Sequence, residues 1–385
     1  MQADVVVIGG AVMGASVAYW LTLMQPGLDV VVVEQDTTFS RASTALSVAS
    51  IRQQFTTAVN VEISRFGIEF IRDFKTRMGL DLGLKEQGYL FLAHSAAGAA
   101  TLADVAAMQR NHGAATEVWT PDQIKARFPW LEVGDLTVGS FGLRGEGWFD
   151  NMGLLSGFRT MAKAQGARFI ADRVTGLRMA GDRVAGVMLE RSGDVSCRTA
   201  VNAAGTRAAE VCRMAGLDLA VEPRKRTVFV IDAPNARHPD APLLVDAGFY
   251  LRPEQAHWIT ATVPQDDGPC APDDFEPDLH LFEDVIWEQL YARAPGFDAV
   301  KVVRHWVGHY AYNTLDQNAI LGPHPQVPNL FLCNGFSGHG LQQSPAVGRG
   351  IAEHIMSGCW QTIDLSDLSV ARMLEGRPFR EQAVV

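Results

Sequence analysis

Cysteine is scarce in this sequence, and the few present are too scattered to act together. Cys197, Cys212, Cys270, Cys333 and Cys359 are odd in number and form no C-x-x-C pair. That argues against a disulfide framework and a zinc site, and it fits a reducing compartment. Dense basic runs are also missing. The run Arg224-Lys225-Arg226 is short and sits beside a strand-like TVFVID, and the net charge is −10. Nucleic acid and anionic membranes are therefore poor partners for this chain. The apolar stretch ASVAYWLTLM is too short to span a bilayer, so no transmembrane segment is expected. The first strand begins within a few residues of Met1, which leaves no room for a signal peptide and makes the cytoplasm the expected location. Internal repeats and low-complexity segments are absent.

What remains is an ordinary globular composition, 47% hydrophobic and 20% charged over 385 residues. It is enough for two domains or one large α/β body. Residues 4–34 read DVVVIGGAVMGASVAYWLTLMQPGLDVVVVE. A β-branched run meets a glycine-rich turn, a helix-like segment follows, and a second apolar strand ends on Glu34. This is the order that dinucleotide binding requires. Gly9 lets the chain turn off the strand, Gly14 lets the helix pack on the sheet, and the helix amino terminus offers free N–H groups to a pyrophosphate. Glu34 lies about 20 residues on, where a carboxylate accepts hydrogen bonds from ribose hydroxyls. The middle glycine of G-x-G-x-x-G is replaced by Ala11, tolerable only if the backbone there keeps φ negative.

Further along, VNVEISRFGIEFIRDFKTRM and residues 97–112 have helical character, and WTPDQIKARFPWL predicts a short helix stopped by Pro129. VTGLRMAGDRVAGVMLE reads as a hairpin. TVFVIDA, FYLRP, HWITATV and VRHWVGHYAYN form a strand-rich block, with an amphipathic helix expected over 278–293. The tail after about residue 372 is polar and is expected to be loose. Near the end, NLFLCNGFSGHGLQQSPAVGRG repeats the logic of the first turn: an apolar strand, then Gly335, Gly338 and Gly340, then a helix beginning near Leu341. An electropositive helix end beside a glycine-rich loop suits the pyrimidine edge of a reduced flavin. A flavin ring needs this second wall; a nicotinamide would not draw one from there.

Together GGAVMGAS…VVVVE, VNAAG and NGFSGHGLQQSPAVG resemble the D-amino-acid oxidase family of flavoproteins, in particular its sarcosine oxidase, dimethylglycine dehydrogenase and D-arginine dehydrogenase branch. STALSVASIRQQFTT, PRKRTVFVIDAP with FYLRPE, and GHYAYNTLDQNAILGPHP follow in the family order. The resemblance implies an α/β (α+β overall) fold. A discontinuous Rossmann-like FAD-binding domain (1–80, 150–215 and 315–385) would join a substrate domain on a mostly antiparallel sheet (81–149 and 216–314). It also implies FAD, hydride transfer from a carbon–nitrogen bond, and hydrolysis of the resulting imine. Gly9, Gly10, Ala11 and Gly14, with Val12 and Met13 of the same turn, would hold the pyrophosphate. Glu34 and Gln35 would hold the adenosine ribose. Arg41, Ser43 and Thr44 would lie along the phosphates and ring, Val174 at the adenine, and Ala204 and Gly205 beside the cofactor. Gly338, His339, Gly340, Leu341 and Gln342 would lie beneath the isoalloxazine.

Where some members carry a flavin-linking cysteine this chain has His309, and the loop after Glu34 has no histidine, so FAD is expected to be non-covalent. Gln342 stands where sarcosine oxidases hold the substrate carboxylate with a lysine, and Tyr310 where D-arginine dehydrogenase has an arginine. A lysine credited with activating dioxygen has no counterpart near HWITATV, which favours a redox partner over dioxygen as electron acceptor. A carboxylate substrate needs a guanidinium or a set of donors. Arg52, following the flavin-facing loop, is the first candidate. Tyr250 and Arg252, on one face of a strand, are the second. His309, Tyr310 and Gln342 complete the set of acting residues. A small amine or amino acid is the expected substrate. A 2-hydroxy acid on the same fold, or a flavoprotein subunit or assembly factor of a larger complex, is the alternative.

Overall fold

A computed structural model describes residues 1–382. The first glycine-rich unit folds as β1 (Gln2–Ile8), α1 (Val12–Met24) and β2 (Val30–Glu34). Val5, Val6, Val7 and Ile8 are all buried, because β1 is covered on both faces, as a near-continuous apolar run in a parallel sheet requires. β1 pairs in parallel with β2 on one side and with Val195–Asn202 on the other. The sheet runs Ile320–His324, Val327–Asn334, Val195–Asn202, β1, β2, Arg168–Ala171, with Ile320–His324 antiparallel at one edge. The predicted hairpin forms from Val174–Ala180 and Arg183–Leu189 and joins this sheet through Val195–Asn202.

The two ends of the sequence meet on one face of the sheet. α1 packs on Asn151–Ala164 and on the long helix Gly340–Ser357. Ser16 Oγ donates to the Ser344 carbonyl at 2.7 Å and Trp20 Nε1 to the Pro345 carbonyl at 2.9 Å. These bonds put the second glycine-rich loop beside the first.

A second sheet runs Lys301–Asn313, Val221–Asp232, His257–Thr262, Phe249–Glu254, Leu243–Asp246, Tyr89–Ala93, Val138–Gly142, Thr116–Trp119. Its pairs are antiparallel except for Leu243–Asp246 with Tyr89–Ala93. Trp258, Phe249 and Phe229 pack from it against Phe282, Ile286 and Phe297. A two-stranded ladder, Ser50–Ile51 with Gly147–Trp148, lies apart from both sheets.

Three expectations change. The basic run Arg224-Lys225-Arg226 lies within the strand Val221–Asp232, not beside it; it is held there by Asp267, Asp274 and Asp278. The helix expected over 278–293 contains a π-helical turn, Phe282–Ile286, before Trp287–Arg293. The segment after residue 372 is anchored over its described residues, up to 382. Arg372 pairs with buried Asp316 at 2.8 Å, and Glu381 is fully buried. No helix among the described residues is long and apolar enough to cross a membrane, and no disulfide joins the five cysteines.

Candidate functional site

A cavity of about 980 Å³ opens at the carboxyl ends of β1, β2 and Val195–Asn202 and runs to the second sheet. Open parallel sheets place ligands at this end of their strands. Its near end is the first turn. Gly9 has φ +98°, and a Cβ there would lie 2.5 Å from the Ala203 carbonyl oxygen. Ala11 keeps φ at −69°, which meets the condition set by its methyl group. The N-cap residue Ala11 has no side-chain acceptor for the first turn of α1; Val12 and Met13 of that turn line the cavity, and the Val12 N–H donates to Thr44 Oγ1 at a long 3.3 Å. Neither Gly10 nor Gly14 makes the pyrophosphate contact that the family resemblance implied, although Gly14 does the helix seating expected of it. Gly10 and Gly14 are not in the cavity wall. The Gly10 N–H donates to Glu34 Oε2 at 2.7 Å, and a Cβ on Gly14 would come within 1.9 Å of the Gly9 carbonyl oxygen. One therefore fixes the acid and the other seats the helix. Glu34 Oε1 also accepts the Asp36 N–H at 2.9 Å. Burial raises its carboxyl above the usual range against these two donors.

The remaining expected cofactor residues line the same cavity: Val12, Met13, Gln35, Arg41, Ser43, Val174, Ala204, Gly205, Gly338, His339, Gly340, Leu341 and Gln342. The wall joins an acid and a hairpin, the amino terminus of α1, and a glycine loop. An extended dinucleotide carrying a flavin fits this donor set. Adenosine would sit by Glu34 and Val174, the pyrophosphate at α1, and the ring system against Gly338–Gln342. Gly338, at φ +96°, allows the loop to lie on Tyr310, whose ring a Cβ would meet at 2.7 Å.

At the far end the cavity is aromatic and cationic. Arg52, 4% exposed, lies over the rings of Phe55 and Phe91 at 4.6 and 5.6 Å. Its backbone N–H donates to Gln342 Oε1 at 2.7 Å, and its Nη2 lies 3.1 Å from His339 Nε2. Tyr89, Tyr250 and Tyr310 line the same end, and burial raises the pKa of all three phenols, that of Tyr89 to about 12. They are hydrogen-bonding groups, not bases, at neutral pH. His309 also lines the cavity, with its ring Nε2 at 2.6 Å from the Asp274 carbonyl and its face packed on Phe275. Burial lowers its pKa. Ser43 holds its backbone by donating to the His309 carbonyl at 2.7 Å.

Arg252 is corrected. It is not in the cavity wall. Its guanidinium bonds Glu254 at 2.5 Å and the Val48 carbonyl at 3.0 Å and lies over Trp148. Alternation does place it on the face of Tyr250, but two residues further, about 7 Å along the strand, the sheet has passed the cavity.

Three contributors escaped the sequence reading. Arg226 lines the cavity, bonds Asp267 at 2.5 and 2.9 Å and faces the Tyr310 ring at 4.8 Å. Glu146, 1% exposed, accepts the N–H groups of Gln53 and Gln54 at 2.7 and 3.1 Å and the Gln54 side-chain amide at 2.8 Å. It thereby clamps the turn that follows Arg52. Glu381 clamps the same segment two residues later, through Thr56 and Thr57. Among the described residues no cluster is suited to a metal ion.

Comparison with known proteins gives the family and the fold. The family model described as "FAD dependent oxidoreductase" (DAO) matches residues 4–354. "FAD-dependent oxidoreductase domain-containing protein 1" of Xenopus laevis is 39% identical, covering 100% of this chain and 85% of that one. "Dimethylglycine dehydrogenase, mitochondrial" of Mus musculus is 26% identical over 93% of this chain and 43% of its own length. Among solved structures, L-proline dehydrogenase from P. horikoshii superposes with a TM-score of 0.88 at 25% identity, covering 98% of this chain and 99% of that one.

Proposed function

Since the chain belongs to the DAO family of FAD-dependent oxidoreductases, we propose that it oxidises the C–N bond of a small amino acid or N-alkyl amino acid. The observation that carries this reading is Arg52, a buried guanidinium at the flavin end of the cavity, framed by aromatic rings. A cation so placed suits a carboxylate, because pairing inside a low-dielectric site offsets the desolvation of both charges. Bound FAD supplies the hydride acceptor. The protein's task is then positioning: Arg52 and the Tyr250 and Tyr310 hydroxyls orient the substrate so that its α C–H faces the ring, and the aromatic wall keeps water away. The names of relatives support the substrate class, since one acts on dimethylglycine and a structural neighbour on L-proline. The imine product would be hydrolysed after release.

We take the first sheet and its helices as the FAD-binding domain and the second sheet as the substrate domain. We further propose that a redox partner, not dioxygen, receives the electrons. Five free cysteines support a reducing compartment, with the cytoplasm as the proposed one.

Anaerobic bleaching of the flavin by a panel of amino acids, N-methyl amino acids and 2-hydroxy acids tests the reading. Bleaching by an amino or N-alkyl amino acid, lost in Arg52→Ala with FAD retained, is the expected result. Bleaching by 2-hydroxy acids alone would transfer the assignment to that class. No bleaching by any small acid would point to a flavoprotein that works within a larger complex.

A further inference from the structure

Glu381 lies 27 residues beyond the last residue matched by the family model, in the segment that composition alone marks as loose. Yet its carboxylate is fully buried. Oε1 accepts the Thr56 N–H at 2.8 Å and the Thr56 hydroxyl at 2.7 Å; Oε2 accepts the Thr57 hydroxyl at 2.9 Å and the Asn60 side-chain amide at 3.0 Å. The return ties come from the segment's own backbone. The Glu381 N–H donates to the Asp316 carbonyl at 3.0 Å and the Gln382 N–H to Thr56 Oγ1 at 3.0 Å. Thr56 and Thr57 follow Arg52 by four and five residues, and just before them stands Phe55, whose ring stacks under the Arg52 guanidinium and meets His339 edge-on at 5.0 Å. Asn60 also receives the Gln343 side-chain amide at 3.0 Å, one residue from Gln342. One buried acid thus ties the Arg52 segment to the glycine loop and its helix.

The charge acts as well as the bonds. Burial works to raise the Glu381 pKa. The Thr56 hydroxyl, the field of the nearby His339 and the remaining donors outweigh it, so the group stays a carboxylate. His339 in turn meets the guanidinium, with its Nε2 3.1 Å from Arg52 Nη2.

We propose that Glu381 is a positioning residue for the substrate's carboxylate: it holds Phe55 and His339 so that Arg52 presents its guanidinium to the cavity. The proposal rests on Arg52 being the carboxylate anchor.

The test is steady-state kinetics of the full-length holoprotein with the amino acid found by flavin bleaching, for wild type, Glu381→Gln and Arg52→Ala. Glu381→Gln keeps the size of the side chain but removes its charge and turns one acceptor into a donor. We expect KM to rise about tenfold, the scale of one weakened charge-assisted hydrogen bond, with kcat changed less than about twofold and FAD content unchanged. An unchanged KM in Glu381→Gln, beside a raised KM in Arg52→Ala, overturns the proposal alone. An unchanged KM in Arg52→Ala overturns the anchor reading beneath it. A fall in kcat, FAD content and melting temperature together, without a separate rise in KM, shows a purely structural clamp and overturns it too. Should Glu381→Gln not accumulate, Thr57→Val removes one donor to the carboxylate and is expected to raise KM in the same direction by a smaller factor; an unchanged KM there counts against the proposal.

Discussion

Glu146 offers a test of the site's architecture that needs no substrate. Its carboxyl is buried under the turn that follows Arg52, and its pKa is pushed up to about 7 by burial, even though the Gln54 side chain, the Gln53 and Gln54 N–H groups and the charge of Arg52 all pull it down. In the unfolded chain it titrates near 4.5. A carboxyl whose folded pKa is raised binds more protons folded than unfolded across that window, so its contribution to stability is full below pH 4.5 and is lost as pH rises through 7. The displacement from 4.5 to about 7 corresponds to roughly 3 kcal/mol, since a tenfold change in an equilibrium is about 1.4 kcal/mol. With about 2 cal/mol/K of unfolding entropy for each residue, a chain of this length has roughly 0.8 kcal/mol/K in all, so about 3 kcal/mol moves the melting temperature by roughly 4 °C. The assay is the melting temperature of holoprotein in excess FAD at pH 5 and pH 8, for wild type and Glu146→Gln. Other groups titrate in both proteins and cancel in the difference. Relative to the variant, the wild type should lose about 4 °C between the two pH values. A difference that stays flat with pH, or grows in the opposite sense, would refute the claim that this acid is held against its own ionisation behind Arg52.

Two further outcomes follow from the cofactor end. Glu34→Ala removes the acceptor of the Gly10 N–H as well as the expected ribose partner, so the apoprotein should bind FAD about ten- to a hundredfold more weakly, as for loss of hydrogen bonds to a charged group; flavin fluorescence titration measures it, and an unchanged Kd would remove Glu34 from the site. Acid precipitation of the holoprotein should leave all flavin in the supernatant, because His309 holds its ring against the Asp274 carbonyl and Phe275; yellow colour retained in the pellet would show a covalent bond.

The parts of this protein that are legible in its sequence are those that short-range chemistry determines. β1, its glycine turn and Glu34 lie within one βαβ unit, where strand propensity, a required positive φ and close helix packing all mark the residues involved. The second glycine loop is readable for the same reason, and the pairing of the two loops followed from needing two walls for one flavin. Arg252 shows the limit. Alternation fixes the face of a side chain but not how far along the strand the cavity ends, and that depends on partner strands distant in sequence. Glu146 and Glu381 are harder still. Each is a lone acid outside any motif, and its role comes from contacts 92 and 325 residues away.

Those two acids have a common physical logic. A guanidinium that is to receive an anion inside a protein must be held charged in a low-dielectric place, which is costly unless negative charge lies near. Two acids are set one layer back from Arg52, Glu146 behind Gln53 and Gln54 and Glu381 behind Thr56, Phe55 and His339. The hydrogen bonds of both acids go to the backbone, hydroxyls and amides that position the cation. The arrangement makes a distinction that mutagenesis can read. Loss of either acid should weaken substrate binding before it weakens FAD binding, because both acids brace the turn around Arg52, whereas Glu34 and the first glycine loop stand at the opposite end of the cavity.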